Sequence, residues 1–188
     1  MKNKLVIGLV GEKGSGKETF GNFLMEIAKD EMIVRIHFSD ILKETLELWN
    51  IPQTRKNLQD LAVLFVKFFN KDALSYATFE RAKKLNADLV ILDGVRWKSD
   101  VTLVRQFPNN LLIYITADVK KRFDRLKKRN SKVGEGSMSF KQFLKEEKAK
   151  NELLIPKIGA RADIKLENNG SLDKFKKKIK EVYSTLQL

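Results

Sequence analysis

The chain has 188 residues, 43% of them hydrophobic, and a formal net charge of +13. This length suits one domain with a single well-buried core. Because no cysteine is present, disulfide bonds, thiolate zinc sites and cysteine nucleophiles are excluded. No apolar run is long enough to span a bilayer and the N-terminal segment has no cleavage pattern, so we expect a cytoplasmic protein without a membrane partner.

The positive charge is concentrated late in the chain. Residues 1–118 carry 17 Lys and Arg against 15 Asp and Glu, whereas residues 119–188 carry 20 against 9. A basic surface attracts nucleic acids, but lysine runs of this kind are also ordinary solvated helix faces. Nucleic-acid binding is therefore an alternative that the charge alone does not establish.

Short runs rich in Val and Ile predict five β-strands. The first, third and fourth runs are almost continuously apolar, which is typical of parallel strands covered by helices on both faces. Their alternation with amphipathic stretches indicates an α/β fold with a mainly parallel sheet. The predicted strands are residues 4–10, 32–38, 88–93, 110–116 and 162–167.

The stretches between these strands have helical periodicity. The second connection spans about fifty residues and contains three helical stretches, more than a crossover needs, so we predict a helical insertion at about 40–75. Apolar residues of helical spacing predict its core, and these are Leu61, Leu64, Phe65, Phe68 and Phe69. The predicted helices are residues 17–30, 40–49, 54–69, 72–86, 98–106, 118–130, 139–152 and 171–187.

A glycine-rich sequence, GEKGSGKETF, follows the first strand directly at residues 11–20. Its spacing, G-x-x-x-x-G-K, is typical of a loop whose backbone N–H groups point at phosphate oxygens, while the next helix adds its positive N-terminal end. The lysine of the motif, Lys17, reaches the outer phosphates. The residues predicted to bind a nucleotide are Gly11, Lys13, Gly14, Ser15, Gly16, Lys17, Glu18 and Thr19.

The loop departs from the usual pattern at its end, because Glu18 stands where a Mg²⁺-binding Ser or Thr is expected. This ending resembles that of the P-loop nucleoside monophosphate kinases, among which adenylate kinases read G-K-G-T with the hydroxyl one position later. The resemblance implies that Thr19 meets phosphate and that Mg²⁺ is held largely by water and the nucleotide. Glu18 then faces either the water shell of the metal or solvent.

The segment LVILDGVR, residues 89–96, carries a second part of the resemblance. Asp93, Gly94 and Arg96 are similar to the D-G-x-x-R of adenylate kinases, shortened by one residue. An Asp at the carboxyl end of a parallel strand beside a phosphate loop can orient Mg²⁺ through water. The resemblance implies this metal role for Asp93, and for Arg96 a phosphate-neutralising role toward donor and acceptor.

The segment FSDILKE, residues 38–44, is similar to the opening of the monophosphate-binding insertion in such kinases. By this match Lys43 meets the phosphate of the acceptor, and Asp40 either contacts the acceptor or caps its helix. Arg55 and Gln59, one helical turn apart, resemble positions in phage-type deoxynucleoside monophosphate kinases. Gln59 offers a donor and an acceptor suited to a base edge.

The segment LIYITADVKKRFDRLKKR resembles the fourth strand of the family and the helix leading to its lid, at about 129–150. Arg122, Arg125 and Arg129 recur at spacings of three and four and so share one helix face. Guanidinium groups grip phosphate oxygens bidentately, although a solvated basic face has the same spacing. For Arg125 and Arg129 we favour the stabilisation of phosphoryl charge.

The C-terminal segment ADIKLENNGSLDKF is similar to the end of dephospho-coenzyme A kinases. The match implies that the loop Asn168–Ser171 lies near the adenine of ATP, although these are also ordinary turn residues. The only histidine, His37, ends an apolar strand and is interpreted as a satisfied imidazole without chemistry.

The resemblance covers most of the chain and implies one P-loop kinase domain, residues 1–188, with a three-layer α/β/α fold, ATP and Mg²⁺. The favoured acceptor is a (deoxy)nucleoside monophosphate. The predicted catalytic residues are Lys17, Asp93, Arg96, Arg125 and Arg129. Two alternatives stay open: a dephospho-coenzyme A kinase-like hydroxyl kinase with Asp40 as its base, and a P-loop ATPase or switch associated with nucleic acid.

Overall fold

A computed structural model describes residues 4–70, 72–129, 137–149 and 152–186, without the side chain of Arg55. Its sheet has the strand order β2-β3-β1-β4-β5. Each of the four strand pairings is parallel, which confirms the predicted parallel sheet. The strands are β1 (Leu5–Val10), β2 (Ile33–His37), β3 (Leu89–Val95), β4 (Asn110–Thr116) and β5 (Ile164–Glu167).

Helices follow each strand, and three of them lie between β2 and β3 as predicted. The short helix at Ile155–Gly159 was missed, because five residues carry too little periodicity for a prediction. Within the described ranges no helix is both long and apolar enough to cross a membrane. The helices are α1 (Lys17–Ile27), α2 (Phe38–Leu48), α3 (Arg55–Phe68), α4 (Ala73–Lys84), α5 (Lys98–Val104), α6 (Val119–Arg129), α7 (Phe140–Glu147), α8 (Ile155–Gly159) and α9 (Leu172–Tyr183).

Two apolar cores cover the two faces of the sheet, because successive side chains of a strand point to opposite sides. On one face Leu5, Ile7 and Leu9 of β1 join a cluster that includes Phe20 of α1 and Phe175 of α9. The residues of the second cluster include Val6, Val10, Ala82, Val90, Val104 and Ile155. This arrangement of a sheet between two helical layers is the predicted three-layer fold.

The predicted core of the insertion is wrong for part of α3. Leu64 is 48% exposed, Phe68 68% and Phe69 74%, whereas Leu61 and Phe65 are half-buried. Helical spacing identifies apolar positions but does not reveal which of them have a neighbouring element to pack against. Here α3 packs against α2 and α4, and its opposite face stays apolar and exposed.

Candidate functional site

The glycine-rich loop leaves the carboxyl end of β1 and runs directly into α1, as the motif requires. Gly14 has φ 73° and Gly16 has φ 111°, left-handed conformations that side chains strongly disfavour. A Cβ atom would lie 2.5 Å from the carbonyl oxygen of Arg122 at Gly14, and 2.4 Å from Nδ2 of Asn168 at Gly16. Both positions therefore require glycine for conformation and for space.

Gly11 and Ser15 complete the turn of the loop. A Cβ atom at Gly11 would lie 2.4 Å from the carbonyl oxygen of Ile115 on β4, so the loop backbone approaches the sheet closely. The backbone N–H of Ser15 donates to the carbonyl oxygen of Glu12 at 3.2 Å. The buried hydroxyl of Ser15 has no hydrogen-bond partner among the described residues.

Lys17 folds its side chain back over this loop. Its Nζ donates to the carbonyl oxygens of Gly11 at 2.6 Å and Glu12 at 3.1 Å. Burial lowers the pKa of Lys17 to about 8, while the charge of Asp93 opposes this shift and that of Arg96 adds to it. The ammonium group is thus a cation poorly satisfied by its surroundings, which an anion at the loop would stabilise.

Glu12 is a buried residue of the loop that sequence reasoning left without a role. The hydroxyl of Tyr114, on β4, donates to Oε1 of Glu12 at 2.5 Å. Burial, together with this hydrogen bond, raises the pKa of Tyr114 to about 12. The pair fastens the loop to the sheet, and the partner of Glu12 lies 102 positions away in sequence, too far for a local motif to indicate.

Asp93 stands near the carboxyl end of β3, as predicted, and its side chain is buried. The guanidinium group of Arg35, on the neighbouring strand β2, binds its Oδ2 through Nη2 and through Nε at 3.1 Å. A Cβ atom at Gly21 of α1 would lie 3.0 Å from this guanidinium group, so glycine there leaves room for it. Sequence reasoning missed Arg35, although an arginine inside the apolar run MIVRIHF indicates a buried partner.

His37 lies opposite Asp93 in the register of β2 and β3. Its Nε2 is 3.5 Å from Oδ2 of Asp93, and its Nδ1 is 3.3 Å from Oδ2 of Asp40. The imidazole therefore has carboxylate neighbours on both sides, in agreement with the prediction of a satisfied ring.

The carboxylate of Asp93 could contact a Mg²⁺ ion only through the water molecules bound to the metal. Both hydrogen bonds from Arg35 reach Oδ2 of Asp93, and no hydrogen bond to Oδ1 is recorded for the described residues. In the same residues no group of three or more acidic or histidine side chains could hold a metal ion. Such a site agrees with an ion that is held by nucleotide phosphates and oriented by Asp93 through its water shell.

Arg96 follows β3 and is positioned by two carboxylates. Oδ2 of the buried Asp100 accepts the backbone N–H groups of Arg96 and Trp97, each at 2.9 Å. Nη1 of Arg96 donates to Oε1 of the buried Glu152 at 2.7 Å. The side chain predicted to neutralise phosphate is thus held beside the loop by an acid that sequence reasoning did not include.

Two further carboxylates hold basic side chains near the loop. Glu146 of α7 pairs with Lys13 at 2.9 Å, and Glu147 pairs with Arg122 at 2.5 Å. Burial raises the pKa of Glu147, against the hydrogen bond and the charge of Arg122. These pairs attach α7 to the phosphate loop and to α6. Helix α7 lies inside the predicted lid region, of which residues 130–136 and 150 lie outside the described residues.

The three arginines of α6 have different surroundings. Arg122 is buried and holds the carbonyl oxygens of Ala117 and Lys13, so its role is structural. Arg125 donates through Nη2 to the carbonyl oxygen of Asn168 at 2.7 Å. Since Nδ2 of Asn168 donates to the carbonyl oxygen of Ser15 at 2.9 Å, Arg125 is linked to the phosphate loop through the predicted adenine loop.

Glu18, which stands where the motif usually has Ser or Thr, forms an ion pair with Arg129. Nη1 of Arg129, at the end of α6, lies 3.3 Å from Oε2 of Glu18, in the first turn of α1. Glu18 is exposed and its recorded ion pair joins the two helices. The sequence analysis predicted that Glu18 faces either the water shell of the metal or solvent, and it did not include Arg129 as a partner.

The predicted acceptor residues are brought together only in part. Nζ of Lys43 donates to Oδ1 of Asp40 at 2.8 Å, and the backbone N–H of His37 donates to its Oδ2 at 2.8 Å. Although burial opposes the shift, these hydrogen bonds keep the pKa of Asp40 below its ordinary value. Asp40 is the third residue of α2, and the N-cap of this helix is His37, which corrects the prediction that Asp40 begins the helix.

The other two predicted acceptor residues lie on α3. Gln59 is exposed, and the side chain of Arg55 lies outside the described residues.

Comparisons with known sequences find relatives along the whole chain. It is 29% identical over 185 residues to a UPF0200 protein of Methanoregula boonei, a match that covers 97% of each chain. It is 26% identical over 190 residues to the UPF0200 protein PH1008 of Pyrococcus horikoshii, again over 97% of each. No family model matches the chain.

Solved structures share the fold. TT1252 from Thermus thermophilus has a TM-score of 0.59 at 19% identity, covering 98% of this chain and 99% of that one. A shikimate kinase from Bacteroides thetaiotaomicron has a TM-score of 0.63 at 12% identity, covering 96% and 98%. These likenesses confirm the predicted three-layer α/β/α fold, which the chain shares with both structures.

Proposed function

We propose that this chain is an ATP-dependent phosphotransferase that moves the γ-phosphoryl group to a small nucleotide, with a (deoxy)nucleoside monophosphate as acceptor. One observation carries the proposal: the loop between β1 and α1 has left-handed glycines at Gly14 and Gly16, and the half-buried side chain of Lys17 folds over it. Such a loop presents backbone N–H groups and one ammonium group to a chain of phosphates.

The donor would bind with its phosphates in this loop. Lys17 exchanges the carbonyl oxygens of Gly11 and Glu12 for phosphate oxygens, which carry more negative charge. Thr19 contacts phosphate, and the loop Asn168–Ser171 lies beside the adenine. Mg²⁺, when bound with the nucleotide, neutralises part of the phosphate charge, and Asp93 orients its water.

Arginine side chains would stabilise the charge that spreads over the transferred group. A guanidinium group has five N–H donors, so the pairing of Arg96 with Glu152 leaves others for a phosphate oxygen. Arg125 and Arg129 approach from α6, on the side of the loop that faces Asn168 and Glu18. Because the oxygen of a monophosphate acceptor is already ionised near neutral pH, positioning and charge stabilisation supply the rate without a general base.

A substrate panel tests this proposal. The purified chain is incubated with ATP, Mg²⁺ and, in turn, each nucleoside monophosphate, each deoxynucleoside monophosphate and dephospho-coenzyme A, and ADP and phosphorylated product are measured. We expect product from at least one monophosphate and none from the Lys17→Ala variant. Wild-type protein that forms no product with any acceptor would refute the proposed reaction.

The Asp40→Asn variant distinguishes a monophosphate kinase from a hydroxyl kinase. A hydroxyl acceptor requires a base, but hydrogen bonds from Lys43 and His37 hold the pKa of Asp40 below its ordinary value, which makes it a weak one. We therefore expect Asp40→Asn to lower kcat only a fewfold, with thermal unfolding measured in parallel because the carboxylate of Asp40 also accepts the backbone N–H of His37 at the start of α2. A loss of several orders of magnitude with an unchanged melting temperature would favour the hydroxyl kinase.

The aromatic residues of the basic C-terminal region argue against a nucleic-acid ATPase. Phe123, Phe143 and Phe175 are at most 6% exposed and so offer no surface for base stacking. We expect any affinity for RNA or DNA to be equal for all polymers and lost in moderate salt. Affinity that persists in salt or prefers one polymer would favour this alternative.

A further inference from the structure

A buried carboxylate joins the first turn of α4 to the turn that carries Arg96. Asp100 is 2% exposed and Ser75, on α4, is 6% exposed. The hydroxyl of Ser75 donates to Oδ1 of Asp100 at 2.5 Å, while Oδ2 accepts the backbone N–H groups of Arg96 and Trp97. The two oxygens of one side chain therefore fix α4 and the backbone of Arg96 relative to each other.

Helix α4 is also fixed to α2, which carries the predicted acceptor residue Lys43. Nη1 of Arg81, on α4, donates to Oε1 of Glu44, the residue after Lys43, at 2.5 Å. The two helices pack against each other, and α4 packs against α5 as well. A continuous set of contacts thus runs from the residue beside Lys43, through α4 and Asp100, to Arg96.

The bond from Ser75 is more than part of an ordinary helix start. As the third residue of α5, Asp100 accepts the backbone N–H of the N-cap Trp97, which is common within a single helix. Ser75 instead belongs to another helix, 25 positions away in sequence. Burial raises the pKa of Asp100, and the hydrogen bond from Ser75 is the largest of the effects that oppose this shift. Loss of the Ser75 hydroxyl therefore removes a donor on which the buried carboxylate depends.

We propose that Ser75 is a positioning residue that acts on Arg96 through Asp100. The inference rests on the proposed function, in which Arg96 stabilises the transferred group and α2 holds the acceptor. Ser75 then sets the position of the Arg96 backbone relative to the helices on the acceptor side. Such placement matters for phosphoryl transfer, because a shift of about 1 Å can lower the rate about a hundredfold.

Amide hydrogen exchange tests this arrangement without a measurement of activity. In Ser75→Ala, the backbone amides of Arg96 and Trp97 should exchange about tenfold faster than in the wild type, because their acceptor Asp100 is held less firmly. The amide of Ile7, on the central strand β1, reports global unfolding in each variant. An unchanged rate at Arg96 and Trp97, or a rise no greater than that at Ile7, overturns the proposal.

Turnover tests the positioning role with the acceptor that the substrate panel identifies. Ser75→Ala should lower kcat about tenfold and leave the KM for ATP unchanged, since the phosphate loop is not altered. Thr102→Val is the matched control: it removes a hydroxyl of α5 that donates to the carbonyl oxygen of Lys98 at 3.0 Å, and its kcat should equal that of the wild type. An active chain in which Ser75→Ala keeps the wild-type kcat overturns the proposal.

A double-variant cycle shows whether Ser75 acts through Asp100. In the Asp100→Ala background, Ser75→Ala should not lower kcat again. Asp100→Asn should recover most of the turnover lost in Asp100→Ala, because its amide oxygen accepts both backbone N–H groups and its amide nitrogen donates to the oxygen of Ser75. An additive loss in the double variant overturns the proposal. A wild-type chain without activity toward any acceptor would instead refute the reaction itself, and the positioning role with it.

Discussion

At the scale of single residues, Lys17 links the chemistry of the loop to pH. Burial lowers its pKa to about 8, and bound phosphates raise it again because negative charge favours the protonated form. The free protein therefore carries the Lys17 proton below pH 8 and loses it as the pH rises through that value. Under the proposed function, nucleotide binding above pH 8 therefore takes up a proton, and the affinity for the nucleotide falls as the pH rises.

We expect the Kd for ATP to be nearly constant below this pKa of about 8, and to rise about tenfold per pH unit above it until the pKa of the complex is reached. Isothermal titration calorimetry across this range measures the profile. Lys17→Arg is the control, because arginine stays protonated throughout and should bind with a flat profile. A wild-type profile as flat as that of Lys17→Arg would contradict the role of this proton.

Arg35 and Asp93 form a buried ion pair, with side chains 10% and 6% exposed. Arg35→Met removes the guanidinium partner of this buried carboxylate, which should lower the free energy of unfolding by about 3 kcal/mol or more. Urea denaturation measures this change. The double variant Arg35→Met, Asp93→Asn removes the charge and should regain part of the loss; equal stability of the two variants would show that the pair is not the cause.

Lys17 and the pair of Arg35 and Asp93 show what the sequence could and could not predict. Lys17 belongs to a contiguous motif whose conformation is local, so its place in the loop was predicted. Arg35 and Asp93 lie 58 positions apart and meet only because β2 and β3 are neighbours in the sheet. Single-residue roles that depend on such pairing become visible only with the fold.

At the scale of elements, Glu18 and Arg129 join α1 to α6. The pair is partly exposed, with side chains 64% and 36% accessible, so it contributes less than about 1 kcal/mol to stability. Its charge matters more for the ligand, since Glu18 adds a negative charge in the first turn behind the phosphate loop.

We expect the free energy of unfolding of Glu18→Gln to lie within about 0.5 kcal/mol of the wild-type value. This variant should bind ATP a fewfold more tightly, because a charge that repels phosphate is removed. Glu18→Thr additionally supplies the usual Mg²⁺-binding hydroxyl, and calorimetry with and without Mg²⁺ separates the two effects. Weaker binding by both variants would mean that Glu18 assists the nucleotide, directly or through Arg129.

The elements differ in how well their sequences predicted them. The strands β1, β3 and β4 were predicted because buried parallel strands are almost continuous apolar runs with clear ends. The short α8 has no such pattern, and the apolar spacing of α3 predicted a helix but not its exposed face. Periodicity reports the local conformation, whereas burial depends on which elements are neighbours.

At the scale of the whole molecule, strand order assembles the site. Because β1 lies between β3 and β4, the carboxyl ends of these strands meet where the phosphate loop begins, which is where ligands bind in open α/β sheets. Asp93 comes from β3, Tyr114 from β4 and Lys17 from the helix after β1. Residues far apart in sequence thus surround one loop.

The most direct test of the account is whether this loop binds a polyphosphate through Lys17. By isothermal titration calorimetry with Mg²⁺, the wild-type chain should bind ATP, ADP or GTP, and Lys17→Ala should bind at least about a hundredfold more weakly, since a charge-assisted contact to phosphate is lost. Lys29→Ala, which removes an exposed lysine after α1, should bind like the wild type. No binding by the wild type, or equal binding by Lys17→Ala, would contradict the account.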